Sequence, residues 1–139
     1  MRRFLTVLAV AGAVGAATPA SASADIRLRY FNLTPSCVPA GGAVSYSVGI
    51  HQSHLFHVHT LWARVVVRHA VTGLVVAESD SGPEYVPYGD YSSSGTEAVP
   101  ANAPPGDYTV SLSLGSSRGA SNWGSATRTI KVAALGVCL

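Results

Sequence analysis

Lysine is almost missing from this chain: Lys131 is the only one among 139 residues, and methionine occurs once, as Met1. Charge of either sign is scarce, at 12% of residues. If Arg2 and Arg3 depart with an N-terminal leader, seven basic residues face seven acidic ones and the remainder is neutral, histidines uncharged. Such a surface offers no clustered cations to phosphate backbones or anionic bilayers, so neither nucleic acid nor, after signal cleavage, a membrane is an expected partner. The signatures of common enzymes are also missing. There is no nucleophile elbow, no His-Glu-x-x-His and no phosphate-binding glycine loop. The acidic residues are scattered, with no carboxylate pair near the histidines. The expectation is a protein that is not an enzyme.

What is present begins with an address. Arg2 and Arg3 precede an uncharged run from Phe4 to Ala17, Thr18 and Pro19 follow, and Ala22-Ser23-Ala24 closes the segment. This is the layout of a cleaved secretory signal, and the run is shorter than the roughly 20 apolar residues that span a bilayer. Residues 1–24 are therefore read as a signal peptide, and 25–139 as one exported domain beginning at Asp25. The expected location is extracellular. In that setting Cys37 and Cys138, neither part of a C-x-x-C pair, are expected to form a disulfide.

The rest of the chain alternates apolar and polar residues, which is the period of strands. Ile26, Leu28 and Tyr30 share one parity, and Arg27 and Arg29 the other. Turn formers fill Thr34 to Gly42. Val44, Tyr46, Val48 and Ile50 then mark a half-buried strand, and a longer one runs from about His57 to Val71 with Arg64 and Arg68 on its solvent side. Thr72-Gly73 predicts a hairpin into Leu74 to Ala77. Glu78 to Pro83 reads as a break, followed by a Tyr- and Gly-rich loop. Further strands are expected near Ser93 to Val99, at Tyr108 to Leu114 and over Ala126 to Ala133. Seven short strands without a helix predict an all-β, seven-stranded Greek-key β-sandwich.

The stretch Ala103-Pro104-Pro105-Gly106-Asp107-Tyr108-Thr109-Val110 resembles the Pro-Gly-x-Tyr opening of the penultimate strand in immunoglobulin-like and fibronectin type III domains. That resemblance implies an immunoglobulin-like sandwich in which Tyr108 forms a corner by hydrogen bonding to upstream backbone. Trp62 falls on the expected middle strand, while Cys37 and Cys138 do not occupy the paired central strands of antibody domains. Taken whole, the Ala-, Gly-, Val- and Arg-rich, Lys-poor chain resembles the small secreted immunoglobulin-like proteins of high-GC Gram-positive bacteria, many without an assigned activity.

Two groups of side chains are candidates for chemistry. All five histidines lie between 51 and 69, four of them in His51-Gln52-Ser53-His54-Leu55-Phe56-His57-Val58-His59. Residues two apart on a strand point the same way about 7 Å apart, so His57 and His59, joined by His54 or His51, suit Zn or Cu(II). The same histidines can equally decorate a polar loop, and His69 fits a core-edge histidine satisfied by backbone. The second group is aromatic: Tyr85, Tyr88 and Tyr91 in the tyrosine-rich stretch, and Trp123 before the last strand. Each offers a rigid ring with a polar tip for a carbohydrate or protein ligand, or a cover for the edges of a small sandwich. The leading expectation is a secreted binding module using these rings; the alternative is an extracytoplasmic metal-binding protein using the histidines.

Overall fold

The computed structural model describes residues 26–55, 59–134 and 137–138, with only the backbone at His59. The expected signal peptide lies outside the described residues. Eight strands follow in order: β1 Ile26–Thr34, β2 Cys37–Pro39, β3 Ala43–Gln52, β4 His59–His69, β5 Val75–Val86, β6 Gly89–Ala98, β7 Gly106–Gly115 and β8 Gly124–Ala133. β1, β3 and β6 form one sheet in the order β1-β3-β6; the other runs β2-β8-β7-β4-β5. All neighbours are antiparallel except β2, which lies parallel to β8. The protein is an all-β, immunoglobulin-like sandwich, and the chain passes from β5 in one sheet to β6 in the other through just two residues, Pro87 and Tyr88.

The alternating residues of β3 do what their period requires. Val44, Val48 and Ile50 are buried, with Phe31 beside them, against Val65, Val67, Val110, Leu112, Leu114, Ile130 and Val132 of the facing sheet. Each such side chain contributes about 1.5–3 kcal/mol when fully removed from water. The Tyr108 ring is fully buried, and its hydroxyl donates to the Pro104 carbonyl at 2.5 Å, which is the corner that the Pro-Gly-x-Tyr sequence implied. Cys37 and Cys138 form the expected disulfide, joining β2 to the C-terminal tail across 101 residues.

Four expectations are corrected. Among the described residues the strands number eight, because Cys37–Pro39 adds a short strand inside the turn-rich stretch. In β1 the register slips by one between Leu28 and Tyr30, so Phe31 turns inward and Tyr30 outward, where its ring lies over Gly49. Glu78 to Pro83 is not a break: it is the middle of the twelve-residue β5, which absorbs Gly82 and Pro83 as a bulge opposite Trp62. The expected tyrosine loop shrinks accordingly to a two-residue connection, with Tyr85 in β5 and Tyr91 in β6.

The seam between edge strands β5 and β6 explains the polar sequence of β5. The Ser79 hydroxyl donates to Glu97 Oε1 at 2.7 Å, and Tyr91 Oη donates to Glu84. Glu97 is 8% exposed, so its carboxylate requires such a partner. The inward positions of β5 thus meet hydrogen-bonding groups of β6, and polar residues satisfy them better than apolar ones would.

Candidate functional site

Strand pairing fixes which loops share an end of the sandwich. Gln52 closes β3 opposite Gly89, which opens β6; His59 opens β4 opposite Val86, which closes β5; Trp62 lies opposite Gly115, which closes β7. The connections 87–88 and 116–123 therefore gather at one end, together with residues 53–55 beyond β3 and the start of β1 opposite Gln52.

Tyr85 and Tyr88 are 59% and 57% exposed at this end. Tyr85 alternates outward on β5, and Tyr88 sits at the crossover between the sheets. Tyr91 is different. It pairs with Ile50, packs against the core, and its hydroxyl braces β6 to β5 through Glu84. That hydrogen bond, then burial and the Glu84 charge, push its phenol above the usual tyrosine range. Trp123 is half-buried against the core, and its N–H in the backbone donates to the Leu114 carbonyl at 3.0 Å. Of the four aromatic candidates, Tyr85 and Tyr88 present open rings; Tyr91 and Trp123 divide theirs between core and surface.

Among the described residues the histidines do not converge on one point. His51 Nδ1 lies 2.7 Å from Asp90 Oδ1, its cross-strand partner, and Arg29 Nη1 approaches Asp90 Oδ2 at 3.2 Å. The His51 hydrogen bond and then the Arg29 charge hold the Asp90 carboxyl below the usual carboxylate range. His54 is half-buried beyond the end of β3, with its backbone N–H donating to Gln52 Oε1 at 2.5 Å. His57 lies outside the described residues, and His59 is placed by backbone alone. Among the described residues no group of three His, Cys, Asp or Glu is arranged to hold a metal ion. His69 sits at the other end as a core-edge residue satisfied by backbone. Its Nδ1 accepts from the N–H groups of Val71 and Thr72 at 3.2 Å each, leaving Nε2 to face the Pro105 carbonyl, and the ring meets Tyr108 edge-on.

Two surface features were missing from the candidates. Trp62 shares the outward parity of Arg64 and Arg68, and the Arg118 guanidinium stacks over its ring at 4.8 Å. Beside it Arg64 grips Asp80 through two hydrogen bonds, of 2.7 and 3.1 Å, with Arg118 3.6 Å from the same carboxylate, so that the Asp80 pKa is lowered. The alternation of β4 alone could have placed Trp62 on this face. Second, Gly115-Ser116-Ser117-Arg118-Gly119 spells Gly-x-Ser-x-Gly. A nucleophile elbow needs a strand-to-helix turn, whereas this segment leaves β7 for a hairpin into β8, with Ser117 O accepting from Ala120 N.

No protein family and no curated protein matches the chain in sequence. Similarity is to solved structures. An alkylpurine DNA glycosylase of Pseudomonas fluorescens, bound to DNA with an abasic-site analogue, superposes with a TM-score of 0.59 at 14% identity, over 83% of this chain and 32% of that one. A β-glucuronidase of glycoside hydrolase family 2 gives 0.57 at 10% identity, over 78% of this chain and 13% of the enzyme. The CARDB domain of a Pyrococcus furiosus protein, in complex with two metal ions, gives 0.51 at 15% identity, over 78% of this chain and 88% of that domain. The chain spans about a third or less of the first two. At these identities the likeness is one of fold.

Proposed function

We propose that this protein is a secreted, non-enzymatic binding module that engages a protein or carbohydrate ligand through Tyr85 and Tyr88. The observation that carries the reading is the exposure of these two rings beside the two-residue passage from β5 to β6, at the end shared with the 116–123 connection. Rings held on a rigid scaffold lose little conformational freedom on binding, and each brings a large apolar area with a hydroxyl tip. The disulfide is compatible with an oxidising compartment, and among the described residues no helix is long and apolar enough to cross a membrane.

The test is retention of the purified domain on a glycan array, on insoluble chitin, cellulose and peptidoglycan, and on immobilised extracellular protein. Specific retention on one of these, lost in Tyr85→Ala/Tyr88→Ala with an unchanged melting temperature, is the expected result. Retention indifferent to both substitutions would remove the tyrosines from the site. Metal is tested in parallel by following the melting temperature with Zn(II) and Cu(II) at pH 7.5. No shift at micromolar metal is expected; a stoichiometric shift lost in His57→Ala/His59→Ala would favour the metal-binding reading.

A further inference from the structure

Every open sheet ends in strands whose outer N–H and C=O groups lack a strand partner, and natural sheets block such edges with short strands, bulges, prolines or charges. Three of the four edges here are blocked. β2 has three residues and ends in Pro39. β1 is bulged between Leu28 and Tyr30, with Arg27 and Arg29 exposed beside the irregularity. β5 is interrupted twice in its register, contains Pro83, and carries Glu78, Asp80 and Glu84.

β6 is the least protected: of these devices it has only two acids, one of them the inward-pointing Glu97. It pairs with β3 in unbroken register over all ten residues, from Gln52 opposite Gly89 to Ala43 opposite Ala98. It contains no proline and no basic residue, and its two acids sit near its ends: Asp90 is tied to His51 and Arg29, and Glu97 to Ser79. Ser92, Ser93 and Ser94 in the middle are exposed. Ser93 shares the inward parity of Tyr91 and Glu97 yet remains open to solvent, so the described residues leave this edge uncovered.

We propose that β6 is a self-pairing edge, against which a second copy of this chain sets its own β6 antiparallel across a two-fold axis, joining two three-stranded sheets into one of six strands. Parity makes the edge compatible with itself. Residues directly opposite in a sheet point to the same face, so a two-fold between identical strands must bring some residue opposite itself. Asp90 points outward and Glu97 inward, so no register can oppose them. With Ser94 on the axis, Ser92 meets Thr96, Tyr91 meets Glu97 and Asp90 meets Ala98, and no like charges face each other. Recognition of a foreign strand draws its specificity from side-chain pockets along the edge. The flanking positions here are Ser92, Ser94, Thr96 and Gly95, of which only Ser94 borders a cavity, an open one shared with Asn32, Ser45, Tyr46 and Ser47, whereas backbone pairing between copies needs none. This inference is independent of the tyrosine site.

The test is sedimentation of the disulfide-bonded protein from micromolar to millimolar concentration. The weight-average mass is expected to climb towards about twice the monomer value, as weak edge-to-edge pairs do. Ser92→Lys/Ser94→Lys, at two exposed outward positions, places like charges across the axis and is expected to raise the apparent dissociation constant by about tenfold or more with an unchanged circular dichroism spectrum. A Ser94→Cys variant is expected to form a cross-linked dimer on mild oxidation, and Asn32→Cys on the opposite edge to remain monomeric. The cross-linking pair decides the matter even if the lysine variant fails to fold. A monomer throughout the range, a dimer that the lysines leave intact, equal cross-linking at Asn32, or a monomer that takes up an extended strand of another protein would each overturn the proposal.

Discussion

The two ends of the sandwich are held in different ways. At one, a disulfide and hydrogen bonds to backbone amides and carbonyls fasten the strands to their connections. The disulfide ties the tail to β2, Tyr108 bonds back to Pro104, His69 collects the Val71 and Thr72 amides against Pro105, and Gly41 and Gly42 exchange hydrogen bonds with Val99. Charge is almost absent from the connections 40–42, 70–74 and 99–105. At the other end the 116–123 connection is closed by bonds within its own hairpin, from Ser116 N to Asn122 Oδ1 and from Trp123 N to Leu114 O. There the exposed tyrosines gather with Asp90, its Arg29 ion pair and its His51 hydrogen bond. The contrast teaches a division of labour: where one end locks the fold, the other can vary its surface without unmaking it.

Substitutions at the two ends should separate cleanly, and the largest effect belongs to the locked end. Replacing Cys37 and Cys138 with serine releases a loop of 101 residues, for which chain entropy alone allows a loss of about 4.7 kcal/mol; thermal melting should fall by at least about 15 °C. Tyr108→Phe leaves the Pro104 carbonyl without its donor and should cost about 1–3 kcal/mol in urea unfolding. At the other end, Asp90→Asn should matter only where the native carboxyl is ionised, near neutral pH and not in acid. The Asp90 carboxyl is held below its ordinary value by His51 and Arg29, so its contribution is present above the unfolded pKa and lost as pH falls through the depressed folded one. The variant should melt slightly below the parent at pH 7, show a flatter decline on acidification, and converge with the parent well below about pH 4. Smallest of all, Tyr88→Ala should alter stability by no more than about 0.5 kcal/mol while abolishing ligand retention. If Tyr88→Ala destabilised the fold as much as Tyr108→Phe, the division would collapse.

Much of this architecture was legible in the sequence where side chains face a core. The alternation of Val44 to Ile50 fixes β3, and the Pro-Gly-x-Tyr stretch locates the corner at Tyr108. What escaped was governed by edges and bulges. Glu78 to Pro83 has the composition of a turn because β5 is an edge strand whose inward Ser79 and Glu84 meet polar partners on β6 instead of aliphatic ones. Simple alternation also sent Tyr30 inward, since one inserted residue in β1 reverses every face beyond it. Tyr91 counted with the loop tyrosines for the same reason: its role as an inter-sheet brace depends on Glu84, within a segment that did not look like strand. The disulfide followed from cysteine count and expected compartment, with no need of geometry.

That disulfide also decides how the molecule would bear a load. Tension applied between the start of β1 and the C-terminal tail passes at Cys37 straight into Cys138, bypassing every strand from β3 to β8. Only the described residues 26–36 can be drawn out, a slack of less than about 40 Å at roughly 3.5 Å per residue. Most of the sandwich is thereby shielded from stretching, and a surface carried on it keeps its shape while the tether is pulled.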